Sequence, residues 1–256
     1  MPTPAPELPV RVAATAGGDS AAARRLARAL GAALVQPPYD RAGLVLEYSS
    51  RGLQLLDPRS PRARPLSVEL FPARVRRQGL PLSKRGPLAR AVGRRTRTVV
   101  DATAGWGADA GLLAAMGYRV TMVERCPPLA ALLSDAVSRV RALEGAGGDP
   151  LTVPELVQAD AVGYLRRVEE GPDCVYIDPM FPPKRNRTAL ARRPVRLLRE
   201  LVGDDEDATQ LLAAARGAAR RVVVKRPDHA PPLAPAPEAS FAGKLVRYDV
   251  YIGADH

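Results

Sequence analysis

Asp101, Glu124 and Asp178 are the acids around which chemistry can be read in this chain, and each directly follows a short run of β-branched or apolar residues. Asp101 closes TVVD, and the turn after it carries Gly105 and Gly107. Glycines there permit positive φ and let a ligand approach the backbone closely. Glu124 ends the run YRVTMVE. In an open α/β sheet the ligand crevice lies beyond the carboxyl ends of the strands, so Asp101, Gly105, Gly107 and Glu124 are expected around one crevice. A dinucleotide pyrophosphate fits poorly, because Asp101 would repel it and Ala110 stands where the fingerprint has its third glycine. A carboxylate suits a cationic amine instead, and Glu124 can accept from both hydroxyls of a ribose. S-adenosylmethionine combines an ammonium, a sulfonium and a ribose. The same glycines also fit a turn with only a structural duty.

The second chemical signal is Asp178-Pro179-Met180-Phe181, delivered by the apolar run CVYI. A carboxylate at a strand end, a proline that fixes the backbone and an aromatic suit a planar base bearing an exocyclic amine. The carboxylate accepts hydrogen bonds from the NH2 while Phe181 stacks on the ring. Methyl transfer to that nitrogen needs mainly alignment and electrostatics, with no nucleophilic side chain. His229 is conceivable as a base, but an arylamine gains acidity as it is methylated, so Asp178 is the better candidate for orienting it. Read alone, Asp-Pro after a strand is equally a tight turn and the Phe a core residue.

Basic residues follow at Lys184, Arg185, Arg187, Arg192, Arg193, Arg196 and Arg199, which could hold phosphates or form a solvated helix face. Lys225 and Arg226 stand at another strand end, where Lys225 could contact a substrate backbone or pair with an acid of the crevice. The formal net charge of +11 points to a polyanionic partner such as nucleic acid. Arg is used far more than Lys, as a GC-rich genome would produce, but that bias does not explain the basic excess. Cys126 and Cys174 are the only cysteines and have no partner at metal-ligand spacing; with two histidines, a metal site is not expected. So few cysteines make no disulfide framework and fit a reducing cytosol. No apolar run approaches membrane-spanning length, and MPTPAPELP lacks the features of a secretion signal. A cytoplasmic protein is expected.

These residues need an α/β frame. After a Pro-rich segment at residues 1–9, expected to be disordered, residues 10–82 read as a small α/β unit: a strand over 10–14, a helix capped by Asp19 or Ser20 with Ala22, Leu26, Ala29 and Leu30 on one face, a hairpin over 43–56 and a strand over 66–71. Arg74, Arg76, Arg77, Lys84, Arg85 and Arg90 form a basic connector. Residues 83–256 alternate strand and helix: strands at 98–101, 118–123, 153–159, 174–177, 221–225 and 244–253, with helices from 87, from 109, over 127–143, over 161–169 and over 211–220. That alternation specifies a doubly wound, mostly parallel sheet. Asp160 could bind an adenine amine or cap the helix after it, and one carboxylate would not easily do both.

VVDATAGWGADA, the MVER strand end, YIDPMFPPK and VVVKRPDHAPPLA together resemble the small-subunit ribosomal RNA methyltransferase J family. The likeness runs from about Lys84 to the C-terminus; the N-terminal unit matches only in layout. It implies a Rossmann-like class I S-adenosylmethionine methyltransferase that methylates the N2 of one guanine in 16S rRNA, with rRNA or the small ribosomal subunit as partner. Cofactor contacts would fall on Ala108, Asp109, Glu124, Arg125, Asp160, Ala161 and Asp178. Two departures stand out: Asp160-Ala161 replaces an expected pair of small hydroxyl residues, and Trp106 is bulkier than expected. The expected activity is therefore guanine-N2 methylation. Adenine-N6 methylation of RNA or DNA, or RNA binding without catalysis, remain alternatives.

Overall fold

The computed structural model describes residues 10–71, 81–145, 152–180, 193–203 and 207–253. The N-terminal unit contains β1 (Val10–Ala14), α1 (Ser20–Leu30), β2 (Leu44–Ser49) and β3 (Gly52–Leu56). Strands β1 and β2 run parallel and β3 returns antiparallel through the expected hairpin. Asp19 caps α1, its carboxylate accepting from the Ala22 N–H at 2.8 Å. The buried face of α1 is Ala23 and Ala27, while Ala29 is exposed and Leu26 and Leu30 only border the core. The expected apolar face is thus rotated, because alanine lets the helix lie close on β1 and β2. The strand expected over 66–71 reduces to one bridge, Leu66 with Leu55. Beyond it the backbone of Leu70 leaves the sheet and lies against Gly111, where an added Cβ would sit 2.0 Å from the Leu70 carbonyl oxygen.

The main sheet holds β4 (Thr98–Asp101), β5 (Arg119–Glu124), β6 (Glu155–Gln158), β7 (Cys174–Ile177), β8 (Arg221–Pro227), β9 (Ala239–Ala242) and β10 (Val246–Ile252). Their order is β6-β5-β4-β7-β8-β10-β9, parallel from β6 to β8, with β10 antiparallel to both β8 and β9. The helices are α2 (Pro87–Val92), α3 (Ala108–Ala115), α4 (Pro127–Gly145), α5 (Ala161–Leu165), α6 (Arg193–Val202) and α7 (Ala208–Ala218). On one face α2, α3, α4 and the N-terminal unit share a continuous core, built from Leu46, Leu55, Leu113, Leu129 and Tyr176 among others. On the other face Leu165, Leu211, Leu212 and Ala215 pack on Val175, Ile177 and Val222. The sheet is therefore wound on both faces, as the strand–helix alternation predicts.

Several boundaries differ from expectation. β6 and α5 are shorter than read, and Tyr118 lies outside β5. The edge strand β9 was not expected: ASFA has no apolar run, and its residues alternate between half-buried and exposed. Among the described residues no helix is long and apolar enough to cross a membrane.

Candidate cofactor and substrate site

The carboxyl ends of the parallel strands open on a cleft of about 370 Å³, a size within the range of small-molecule sites. Asp101, Gly105, Ala108, Asp109, Glu124, Arg125, Asp160, Ala161, Asp178, Pro179 and Lys225 all line it. The five parallel strands thus bring the sequence signals together.

The turn after β4 is held by acids. Glu124, 5 % exposed, accepts through Oε2 from the Gly105 N–H at 3.0 Å and through Oε1 from the Cys126 N–H at 2.8 Å. The carboxylate thus braces the turn from the wall of the cleft. Gly105 has φ +53° and room beside it, whereas Gly107 has φ +69° and is backed by Leu70 and Leu133 side chains that an added Cβ would meet at 2.7 and 2.8 Å. Gly107 does not line the cleft. It starts α3 and lets the helix pack closely.

Asp101 is 1 % exposed and accepts from the Thr103 N–H at 3.2 Å. Burial, reinforced by the neighbouring charges of Asp109 and Asp178, pushes its carboxyl up to about 8. Thr103, which the sequence reading passed over, also positions the next acid: its hydroxyl accepts from the Asp178 N–H at 2.7 Å. The Lys225 ammonium donates to Asp109 Oδ2 at 2.7 Å and Asp178 Oδ2 at 2.9 Å, and Tyr176 Oη donates to the same Asp109 oxygen at 2.7 Å. Burial works against the Lys225 charge, but Asp178 and Asp109 outweigh it and hold the ammonium above the usual lysine range. Asp160 caps α5, accepting from the Gly163 N–H at 2.7 Å through Oδ1 while the residue also forms part of the cleft wall.

Helix α6 covers the cleft with Val195, Leu198, Arg199 and Val202. Trp106 Nε1 donates to the Pro194 carbonyl at 3.1 Å, so the bulky residue in the glycine turn anchors this helix. Arg59 pairs with Glu200 at 2.5 Å and ties α6 to the N-terminal unit, while Arg125 pairs with Asp207 at 2.9 Å across the cleft. These lining residues carry no motif. Only the amphipathic spacing of Leu197, Leu198 and Leu201 among arginines could have flagged them.

The cleft gathers Asp101, Asp109 and Asp178 at one end, Glu124 at the next strand, and apolar walls. That lining fits S-adenosylmethionine.

Residues 30–253 match the family model described as "Putative SAM-dependent methyltransferase". The ribosomal RNA small subunit methyltransferase J of Halorhodospira halophila is 44% identical over 249 residues, covering 92% of this chain and 91% of the relative. That of Pseudomonas aeruginosa is 39% identical over 254 residues, covering 94% of each. The chain belongs to the ribosomal RNA small subunit methyltransferase J family. A crystal structure of a SAM-dependent methyltransferase from Neisseria gonorrhoeae superposes with TM-score 0.71 at 29% identity, over 96% of this chain and 97% of that one. The protein is thus an S-adenosylmethionine-dependent methyltransferase with a Rossmann-like fold.

Three residues expected to touch RNA have other partners in this methyltransferase. Lys225 takes the second of its two expected roles, pairing with acids of the cleft. Arg226 is 8 % exposed, and its guanidinium donates to the Pro231 carbonyl at 2.6 and 2.9 Å, closing the loop after β8. Strand alternation turns it to the opposite face from Lys225. Arg193 donates to the Arg64 carbonyl and is half-buried. Phe181, Lys184, Arg185, Arg187 and Arg192 lie outside the described residues, as does the segment 1–9.

Proposed function

We propose that this methyltransferase modifies the exocyclic N2 amine of a guanine in small-subunit ribosomal RNA. The observation that carries the reading is Asp178, set at the end of β7 on the wall of the cofactor cleft and followed by Pro179 and Met180. In this reading its carboxylate accepts from an amine entering the open side of the cleft. Pro179 fixes the chain direction there, and Phe181, next in sequence, is assigned to stack on the base. Bound S-adenosylmethionine supplies an electrophilic methyl group. Asp178 then orients the amine lone pair, and α6 with the apolar wall keeps water from the reacting end.

The substrate class is supported by the printed names of the relatives and by the net charge of +11. The basic run from Lys184 to Arg192 continues directly from the base-binding tetrapeptide, and phosphate contacts there would set the position of the target nucleotide. A paired target has to leave its stack to reach the cleft.

Asp178→Ala tests the assignment. Transfer to rRNA is expected to be lost while cofactor affinity, measured by calorimetry, changes little. Normal turnover by this variant would overturn the role.

A further inference from the structure

We propose that Lys225 is a positioning residue for the methyl transfer: its ammonium clamps Asp178 against Asp109, holding one acid for the amine and the other for the cofactor. The proposal rests on the role given to Asp178 above and adds a residue that acts through it.

The strand β8 explains why a lysine stands here. Val222 and Val224 point to the face packed by α7, so Val223 and Lys225 point to the face shared with Tyr176 and Tyr248. The lysine stem crosses that apolar layer, and the ammonium emerges at the cleft with its side chain 22% exposed. There it meets two carboxylates at 2.7 and 2.9 Å. Two of its three donors are therefore committed inside the protein, which leaves a poor contact for an RNA phosphate.

The groups facing it come from every neighbouring element. Asp101 ends β4, Asp109 lies in the first turn of α3, Tyr176 lies on β7, Asp178 follows it, and Tyr248 lies on β10. Three acids thus surround one cation. Tyr176 Oη donates to the Asp109 oxygen that Lys225 also holds, so Asp109 is fixed from two sides and Lys225 passes that fixity to Asp178. Adjacent carboxylates raise one another's proton affinity, and a protonated Asp178 would present an O–H where the amine needs an acceptor. Through Lys225 the acid on the amine side is tied to the acid on the cofactor side.

The test compares wild type, Lys225→Met and Lys225→Arg. Lys225→Met keeps stem length and removes the charge; Lys225→Arg keeps the charge. With undermethylated small subunits, Lys225→Met is expected to lower kcat about 10- to 100-fold with KM for RNA within about twofold. The acid limb of its pH profile should move up by about 1–3 pH units, the usual influence of an adjacent opposite charge. Lys225→Arg should recover much of kcat and return the limb toward wild type. A second reading needs no turnover. Without Lys225 the folded protein binds more protons than the unfolded chain once pH exceeds the usual carboxylate range, so the thermal stability of cofactor-free Lys225→Met should fall more steeply than wild type between about pH 4 and 8. A raised KM with unchanged kcat and a weakened salt dependence would instead make Lys225 a phosphate contact and overturn the proposal. Parallel pH profiles and parallel stability curves for wild type and Lys225→Met would also overturn it. If only the role of Asp178 is wrong, Asp178→Ala stays active while the difference between the stability curves persists.

Discussion

Replacing Glu124 by alanine removes one acceptor from two backbone donors and from the ligand at once. Gly105 N–H at 3.0 Å and Cys126 N–H at 2.8 Å both lose their partner, in a place where the glutamate itself is 5 % exposed. An orphaned buried donor costs about 1–3 kcal/mol, so the pair is worth about 2–6 kcal/mol of stability before water relieves part of it. For a chain of this size each kcal/mol lowers Tm by about 2–4 °C. The cofactor-free variant is therefore expected to melt about 4–24 °C below wild type. Cofactor affinity falls as well, because a charge-assisted contact is worth about 1.5–3 kcal/mol, which is about 10- to 140-fold in Kd. Melting by calorimetry and titration with S-adenosylmethionine separate the two effects. A Tm unchanged within 1 °C would refute the bracing of the turn. An unchanged Kd would refute the ligand placement.

Three further outcomes follow from the same geometry. Gly111→Ala should lower stability by about 1–3 kcal/mol despite the better helix propensity of alanine, because its Cβ would lie 2.0 Å from the Leu70 carbonyl oxygen; a variant melting at or above wild type would contradict this packing. Asp101 is buried with its carboxyl pushed up to about 8. The folded protein therefore holds a proton there that the unfolded chain releases above about pH 4, and this group's contribution to stability declines as pH rises from about 4 to 8. Asp101→Asn should flatten that decline in cofactor-free melts across the window, and an unchanged slope would count against it. Asp178→Ala, as described above, should separate transfer from cofactor binding.

The parts of the site that the sequence made legible are those fixed by strand ends. Short apolar runs closing on Asp101, Glu124 and Asp178 placed three acids on one side of a parallel sheet, and the structure has them there. The glycines were harder to apportion. Both have positive φ, yet only Gly105 faces the cleft, and what separates them is the packing of Leu70 and Leu133, which are distant in sequence. Lys225 was readable as a residue of the crevice but not as the partner of Asp109 and Asp178, because that choice depends on which way β8 turns its side chains. The cover formed by α6 was read only as a basic stretch, since its contacts with Trp106 and Arg59 join segments far apart in the chain. The alternation of α1 misled for a local reason: alanines at Ala23 and Ala27 bury more completely than the neighbouring leucines because they permit closer approach.

The central claim is the identity of the methylated atom. Incubation of the protein with methyl-labelled S-adenosylmethionine and undermethylated small ribosomal subunits, followed by digestion of the rRNA to nucleosides, reads it directly. The account predicts label in N2-methylguanosine, lost with Asp178→Ala. Label in N6-methyladenosine would contradict the choice of base, and binding of RNA with no incorporated label would contradict the assignment of this site to methyl transfer on rRNA.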